Sequence, residues 1–147
     1  MNKLKIAAVS LVLGLGTPVL ADSADEIKCL ADNIYFEARS EDIDGQVAVA
    51  WVTLNRRDAN GFRDTVCKVV WQTEQFSWTH DGKSDIPAEP IAYQIAYTIA
   101  KDLYENYEYF DDPTYGATYY HANYANPYWV PSFDRVAIIG KHIFYRG

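Results

Sequence analysis

The segment Gln46-Val47-Ala48-Val49-Ala50-Trp51-Val52-Thr53-Leu54-Asn55-Arg56-Arg57 is apolar on nearly every side until Asn55, and it constrains the fold more than any other stretch. A helix without a polar face belongs in the middle of a domain, so other elements must wrap it. The β-branched residues leave a strand open, but the length of the run favours a helix. The sequence therefore predicts a central buried helix, stopped near Asn60-Gly61, where glycine can take the left-handed cap.

Other elements follow from spacing. Ser23-Ala24-Asp25-Glu26 reads as a capping box that opens a helix over about 24–40. Within it Ile27, Leu30, Ala31, Ile34 and Ala38 fall within roughly 40–60° of one line on a helical wheel. Cys29 and Phe36 occupy the far side, so this helix should touch protein on two faces. Asp64 can cap a short helix holding Val66, Val69 and Val70, and the polar stretch Gln72 to Ser77 leads into Trp78 to Ser84, turn chemistry around a short hairpin or loop. Pro90 suits a first helical position, and Ile91, Ile95, Ile99 and Leu103 repeat on one face of a helix reaching about Asn106. Beyond Asp111-Asp112-Pro113 the pattern changes: 117–123 is β-prone, and 136–139 can pair with 142–145 around Gly140-Lys141. The expected class is α+β, a single, mainly helical domain with a small C-terminal antiparallel sheet.

The first residues carry Lys3 and Lys5, then an apolar run from Ile6 to Leu15, then small residues at Val19 and Ala21. This describes a cleavable secretory signal over 1–21, leaving a domain over 22–147; the run is short of the ~20 residues that a membrane anchor, the alternative, needs. Loss of Lys3 and Lys5 takes the formal charge from −7 to −9, which disfavours nucleic acid and anionic membrane surfaces as partners. Twelve Tyr, four Trp and six Phe suit sugar rings as well as cores. In an exported chain Cys29 and Cys67 are most simply one disulfide, with two buried thiols as the alternative.

Glu37 lies just off the apolar line of the first helix, beside Leu30. A half-desolvated carboxyl has a raised pKa and can donate a proton, as a general acid must. The alternative is a helix-end carboxylate paired with Arg39 or another cation. His80, His121 and His142 form no ligand-spaced set, so neither a metal nor another cofactor is expected. A serine or cysteine nucleophile lacks its elbow.

Several blocks, in order, resemble one family: Cys29-Leu30-Ala31, Ile34-Tyr35-Phe36-Glu37-Ala38-Arg39, Gly45-Gln46-Val47-Ala48-Val49-Ala50, Leu54-Asn55-Arg56, Thr65-Val66-Cys67, Gln75-Phe76-Ser77-Trp78, Tyr119-Tyr120-His121-Ala122 and Ile139-Gly140-Lys141-His142-Ile143-Phe144-Tyr145. They are similar to the SleB-like cell wall hydrolases, which include the spore-cortex-lytic enzymes. The resemblance implies a lysozyme-like domain that cuts the β-1,4 glycan of peptidoglycan between N-acetylmuramic acid and N-acetylglucosamine. In the family this is a lytic transglycosylase reaction that leaves a 1,6-anhydro-muramyl end, with the catalytic glutamate at Glu37. Ser40 departs from the glycine usual after Glu-Ala-Arg, which implies a less sharp turn. Glu41 is the competing second carboxylate if the reaction is ordinary hydrolysis, although a structural role closing the loop before Gly45 suits it better. Gln75, Phe76, Ser77, Tyr119, His121, Asn123 and Trp129 are expected to bind substrate, with core packing the alternative for the aromatics and an internal histidine for His121. A monomer in the periplasm or outside the cell is expected, with a non-catalytic peptidoglycan-binding protein as the reading from another class.

Overall fold

A computed structural model of the chain describes residues 19–59 and 65–147. Four helices, α1 (Val19–Ala38), α2 (Ile43–Asp58), α3 (Val66–Val70) and α4 (Pro90–Asn106), precede three strands, β1 (Tyr119–Ala122), β2 (Asp134–Ile139) and β3 (His142–Arg146). Short 3₁₀ turns occur at Ser77–His80, Tyr107–Tyr109 and Val130–Ser132. The class is α+β, mainly helical, as expected.

Helix α2 is the buried centre. Ala48, Val49, Ala50, Val52, Thr53 and Leu54 are inaccessible or nearly so. Its two sides serve two clusters. Ala50, Trp51 and Leu54 meet α1, α3 and α4, while Ala48 and Val52 meet Ala117 and Phe144 of the sheet region. The absence of a polar face on this segment is therefore explained by burial on both sides.

Helix α1 buries the expected stripe of Ile27, Leu30, Ala31, Ile34 and Ala38. Its start differs from expectation: the helix begins at Val19, so Ser23 and Glu26 lie inside it rather than capping it. The Glu26 carboxylate instead accepts the backbone N–H groups of Val66 and Cys67, the free amides that open α3. Thr65 completes that cap through its hydroxyl, which accepts from Lys68 N at 3.2 Å. Asp64 and the expected stop at Asn60-Gly61 lie outside the described residues, as does the expected leader except for 19–21, which open α1. A Cys29–Cys67 disulfide fastens α1 to α3 across 38 residues, a closure that stabilises by about 3–4 kcal/mol in the chain-entropy account.

Helix α4 packs through Ala96, Ala100 and Leu103, with Ile99 of the expected face partly buried against the same core, whereas Ile91 is 78% and Ile95 38% exposed. Alanines let α1 and α4 backbones approach closely, which bulkier side chains on that face would prevent. Asn55, at the end of α2, donates to Asp112 Oδ2 (2.9 Å) and to the Ala117 carbonyl (3.1 Å), tying the approach to β1 onto the central helix.

The sheet has the order β1-β3-β2 and is antiparallel throughout. Ile139 pairs with His142, so Gly140-Lys141 is the expected two-residue turn, and Gly140 takes φ +56, where glycine is favoured. The stretch after Ser77 is a 3₁₀ turn and loop, not a hairpin. Ser40 is not among the residues with positive φ, and the chain leaves α1 through a turn in which Glu41 N bonds the Ala38 carbonyl at 2.9 Å.

Candidate active site

Glu37 stands on the last turn of α1, half-buried. The Tyr120 hydroxyl, on β1, donates to its Oε2 at 2.6 Å. Burial pushes the Glu37 carboxyl above the ordinary carboxylate range, and the Tyr120 hydrogen bond and the Arg56 charge oppose that shift without cancelling it. Tyr120 is buried against Glu37, and its own pKa is driven well up, so it stays protonated as the donor.

Arg56, from the C-terminal part of α2, is 6% exposed. Its Nε donates to the Thr118 carbonyl at 2.6 Å, and its guanidinium lies 5.0 Å from the Phe76 ring centroid and 5.8 Å from that of Tyr119. Burial lowers its pKa and the nearby Tyr120, Tyr119 and Glu37 raise it. The result is a fixed cation next to the candidate acid.

Two spaces meet at Glu37. A cavity of about 520 Å³ is lined by Tyr35, Phe36, Glu37, Arg39, Ser77, Trp78 and alternate parts of the loop that follows, among them Asp81, Lys83 and Glu89. A recess of about 110 Å³ is lined by Glu37, Arg56, Gln75, Phe76, Ser77 and Tyr120. The wall of the larger cavity is built from α1 outward. Tyr35 Oη accepts the N–H groups of Ala88 and Glu89, each at 3.1 Å, which pins the incoming loop. Trp78 stacks on Phe36 with centroids 4.6 Å apart. Its indole N–H donates to buried Asn33 Oδ1 at 2.9 Å, while Asn33 Nδ2 donates to Thr53 Oγ1 at 3.1 Å. One amide thus joins α1, α2 and the cavity wall.

The expected site residues divide into two groups. Gln75, Phe76 and Ser77 lie beside Glu37 in the recess. Tyr119, His121, Asn123 and Trp129 line neither space. Side chains alternate along β1, so Tyr120 faces Glu37 while Tyr119 and His121 turn to the other face. There Tyr119 stacks on Phe133 (4.3 Å), and His121 stacks on Tyr145 (5.3 Å) with Trp129 edge-on at 5.7 Å. His121 shares hydrogen bonds with the Ala122 carbonyl (2.8 Å) and with Tyr145 Oη (3.0 Å). Asn123 is exposed, and its backbone N–H bonds the Lys141 carbonyl at 2.7 Å.

Glu41 turns to the β2–β3 connection, where its Oε2 accepts Lys141 N at 2.9 Å. Its side chain fills the space beside Gly45 and Gly140: a Cβ on Gly45 would lie 2.8 Å from Glu41 Cβ, and one on Gly140 would collide with the carboxylate. The glycines of two elements are thereby matched to one carboxylate. Sequence reasoning missed Tyr120, Arg56, Trp78 and Asn33 as parts of the site. Tyr120 had a signal, since alternation in the block Tyr119-Tyr120-His121 sets it on the face opposite its neighbours.

Glu37 is thus a half-buried carboxyl group on an open cleft, held by the Tyr120 phenol and flanked by the buried Arg56 cation. This chain belongs to the Cell Wall Hydrolase family, whose model matches residues 40–145, starting three residues past Glu37. It is 34% identical over 123 residues to the spore cortex-lytic enzyme of Halalkalibacterium halodurans, covering 83% of this chain and 35% of that protein. The enzyme of the same name from Oceanobacillus iheyensis is 36% identical over 123 residues, covering 83% and 42%. The chain thus spans about two fifths of the length of these relatives. A 123-residue match within 147 residues necessarily includes Glu37. Among solved structures, the catalytic domain of the Bacillus cereus SleB protein superposes with a TM-score of 0.69 at 31% identity, covering 84% of this chain and 91% of that one. The catalytic domain of the germination-specific lytic transglycosylase SleB from Bacillus anthracis gives 0.69 at 30% identity, covering 90% and 98%.

Proposed function

We propose that this chain is an exported enzyme that cleaves the β-1,4 glycan strand of peptidoglycan by lytic transglycosylation, with Glu37 as both acid and base. The observation that carries the reading is the Glu37 carboxyl, raised in pKa by burial and facing an open cavity. Among the described residues, the other acids lining that cavity are Asp81 and Glu89. Each stands beside a cation, Lys83 at 3.8 Å and Arg39 at 2.9 Å respectively. Glu41, the competing second carboxylate, is engaged at the β2–β3 turn. The family membership, and the name lytic transglycosylase carried by a protein of similar fold, support the same reading.

The chemistry needs one carboxyl group. Protonated Glu37 gives its proton to the glycosidic oxygen as the bond from that oxygen to the muramyl C1 breaks. The C6 hydroxyl of the same sugar then bonds to C1 and its proton passes to the Glu37 carboxylate, which restores the acid. The attacking hydroxyl is tethered to the ring, so its effective concentration is high and no held water is required. Hydrolysis would instead need a second carboxylate about 5–9 Å away to activate water. Export rests on the leader-like residues 1–21 and on the location of the substrate.

Mass spectrometry of digested peptidoglycan tests the proposal. The expected new ends are anhydro-muramyl, lighter by one water than hydrolysed ends. Predominantly reducing muramyl ends would establish a two-carboxylate hydrolase, and binding to walls without any cleavage would establish a carbohydrate-binding protein.

A further inference from the structure

We infer that the outer face of α4 is a docking groove for a cationic amphipathic helix of a partner protein. The inference is independent of the proposed glycan chemistry, since the groove shares no lining residue with either space at Glu37.

From Pro90 to Ala100 helix α4 carries no charged residue, although only Ala96 and Ala100 of that stretch are buried. A helix side that faces water ordinarily carries charged and polar groups. Here Ile91, Ile95 and Ile99 recur at every fourth position, which sets them one above another on one side of the helix. Ile91 and Ile95 are exposed, and so are Ile43 (52%), at the start of α2, and Phe110 (49%), beyond the end of α4. Two adjoining cavities of about 360 Å³ and about 310 Å³ share Ile43 and Ile99 and so form one groove, with Val47, Trp51 and Leu103 flooring its far end. From Ile91 to Leu103 the groove follows α4 for about 18 Å at 1.5 Å per residue, the length of roughly three helical turns.

Shape and charge select the occupant. Every lining residue lies on α2, on α4 or in the segment 110–113, so the groove offers no strand edge to an extended peptide. A helix satisfies its own backbone and needs only apolar anchors at helical spacing. The charged groups in the lining are Asp102 and Asp111. Both are exposed, and neither forms a salt bridge among the described residues. Asp42 and Asp44 flank Ile43 in the chain. Pairing with a second copy would bring together two chains of net charge −7, and an anionic membrane surface would be repelled as well. Lysine or arginine along the edges of an incoming helix meets these carboxylates with complementary charge.

Fluorescence anisotropy with dye-labelled model peptides tests this. The probe is a peptide of about 14 residues made of leucine and lysine, with leucines at the i, i+3, i+4, i+7 spacing of one helix face. Its comparators are the same peptide with glutamate for lysine, and a peptide of the probe's composition in which leucine and lysine are shuffled so that no helix face is apolar. The expected result is binding of the probe, with both comparators at least about tenfold weaker; Ile91→Lys should weaken the probe about tenfold, and Asp102→Asn with Asp111→Asn should weaken it and reduce its salt dependence. Ile91 is exposed, so its replacement leaves the core intact, which circular dichroism verifies. No binding of the probe, equal binding of the shuffled peptide, or unchanged binding to a folded Ile91→Lys protein overturns the inference; the last two would show a general attraction to an acidic chain. Sedimentation of the unmutated protein is read in parallel. A dimer that Ile91→Lys dissociates would give the groove to a second copy and overturn the partner helix, whereas a monomer at every concentration is the expected result.

Discussion

Replacing Tyr120 with Phe should separate the two influences on the Glu37 proton. The phenol donates to Oε2 at 2.6 Å, so it stabilises the charged carboxylate and works against the burial that raises the pKa. A hydrogen bond to a charged group is worth about 1.5–3 kcal/mol, and a pKa unit corresponds to about 1.4 kcal/mol. Removing it should therefore move the Glu37 titration upward, because the variant keeps the desolvation and loses the compensation. With protonated Glu37 as the proposed acid, the basic limb of the pH profile for wall cleavage should shift upward. The rate at the optimum should fall as well, since the phenol also orients the carboxyl and eases its return to the ionised state after proton donation. The assay is loss of turbidity of purified cell walls across pH 4 to 9, with circular dichroism to verify folding. A variant whose activity drops equally at every pH, with the basic limb unmoved, would show that Tyr120 only packs against Glu37 and does not tune it.

Other outcomes follow from the same contacts. Glu37→Gln should fold and clear walls at a negligible rate; wild-type clearance by this variant would remove Glu37 from the chemistry. Because the folded pKa of Glu37 is raised above 4.5, its contribution to stability is present below that value and is lost as pH rises through the folded pKa. Glu37→Gln should accordingly gain thermal stability relative to the unmutated protein at neutral pH and not at pH 4, by differential scanning calorimetry. Glu41→Gln should cost less activity than Glu37→Gln, since an amide oxygen can still accept Lys141 N. Glu41→Ala should destabilise by about 0.5–1.5 kcal/mol by urea denaturation, because it removes the acceptor of the exposed Lys141 N–H. Alkylation and intact mass of the oxidised protein should find no free thiol at Cys29 or Cys67. Asn33→Ala should cost about 2–3 kcal/mol in the same denaturation assay, since it leaves the Trp78 indole N–H and the Thr53 hydroxyl without their buried partner.

Periodicity and composition determine which segments become helices or strands, because those preferences are local. The all-apolar run after Gln46 sits at the centre, the stripe from Ile27 to Ala38 is buried, Pro90 opens α4, and Gly140-Lys141 turns the C-terminal hairpin, all as their spacing implies. The placement of Glu37 on the flank of an apolar stripe was legible for the same reason. Local patterns become ambiguous when a polar group can choose between partners near and far. Ser23 to Glu26 has the form of a capping box, yet Glu26 reaches across to the free amides of α3, 40 residues away, because burial there makes a carboxylate acceptor more valuable than at an exposed helix start. Likewise Ile91, Ile95, Ile99 and Leu103 of α4 are spaced as one core face, but Ile91 and Ile95 are exposed while Ala96 and Ala100 are fully buried. Tyr120 finds Glu37 across 83 residues, and Arg56, Gln75 and Tyr120 come together in one recess only when α2, β1 and the loop after α3 are assembled. The sequence by itself determined the order of the main elements and the candidate acid. Tertiary structure alone decided which phenol, cation and amide surround that acid, since side-chain pairing between distant elements depends on packing geometry that no local pattern encodes.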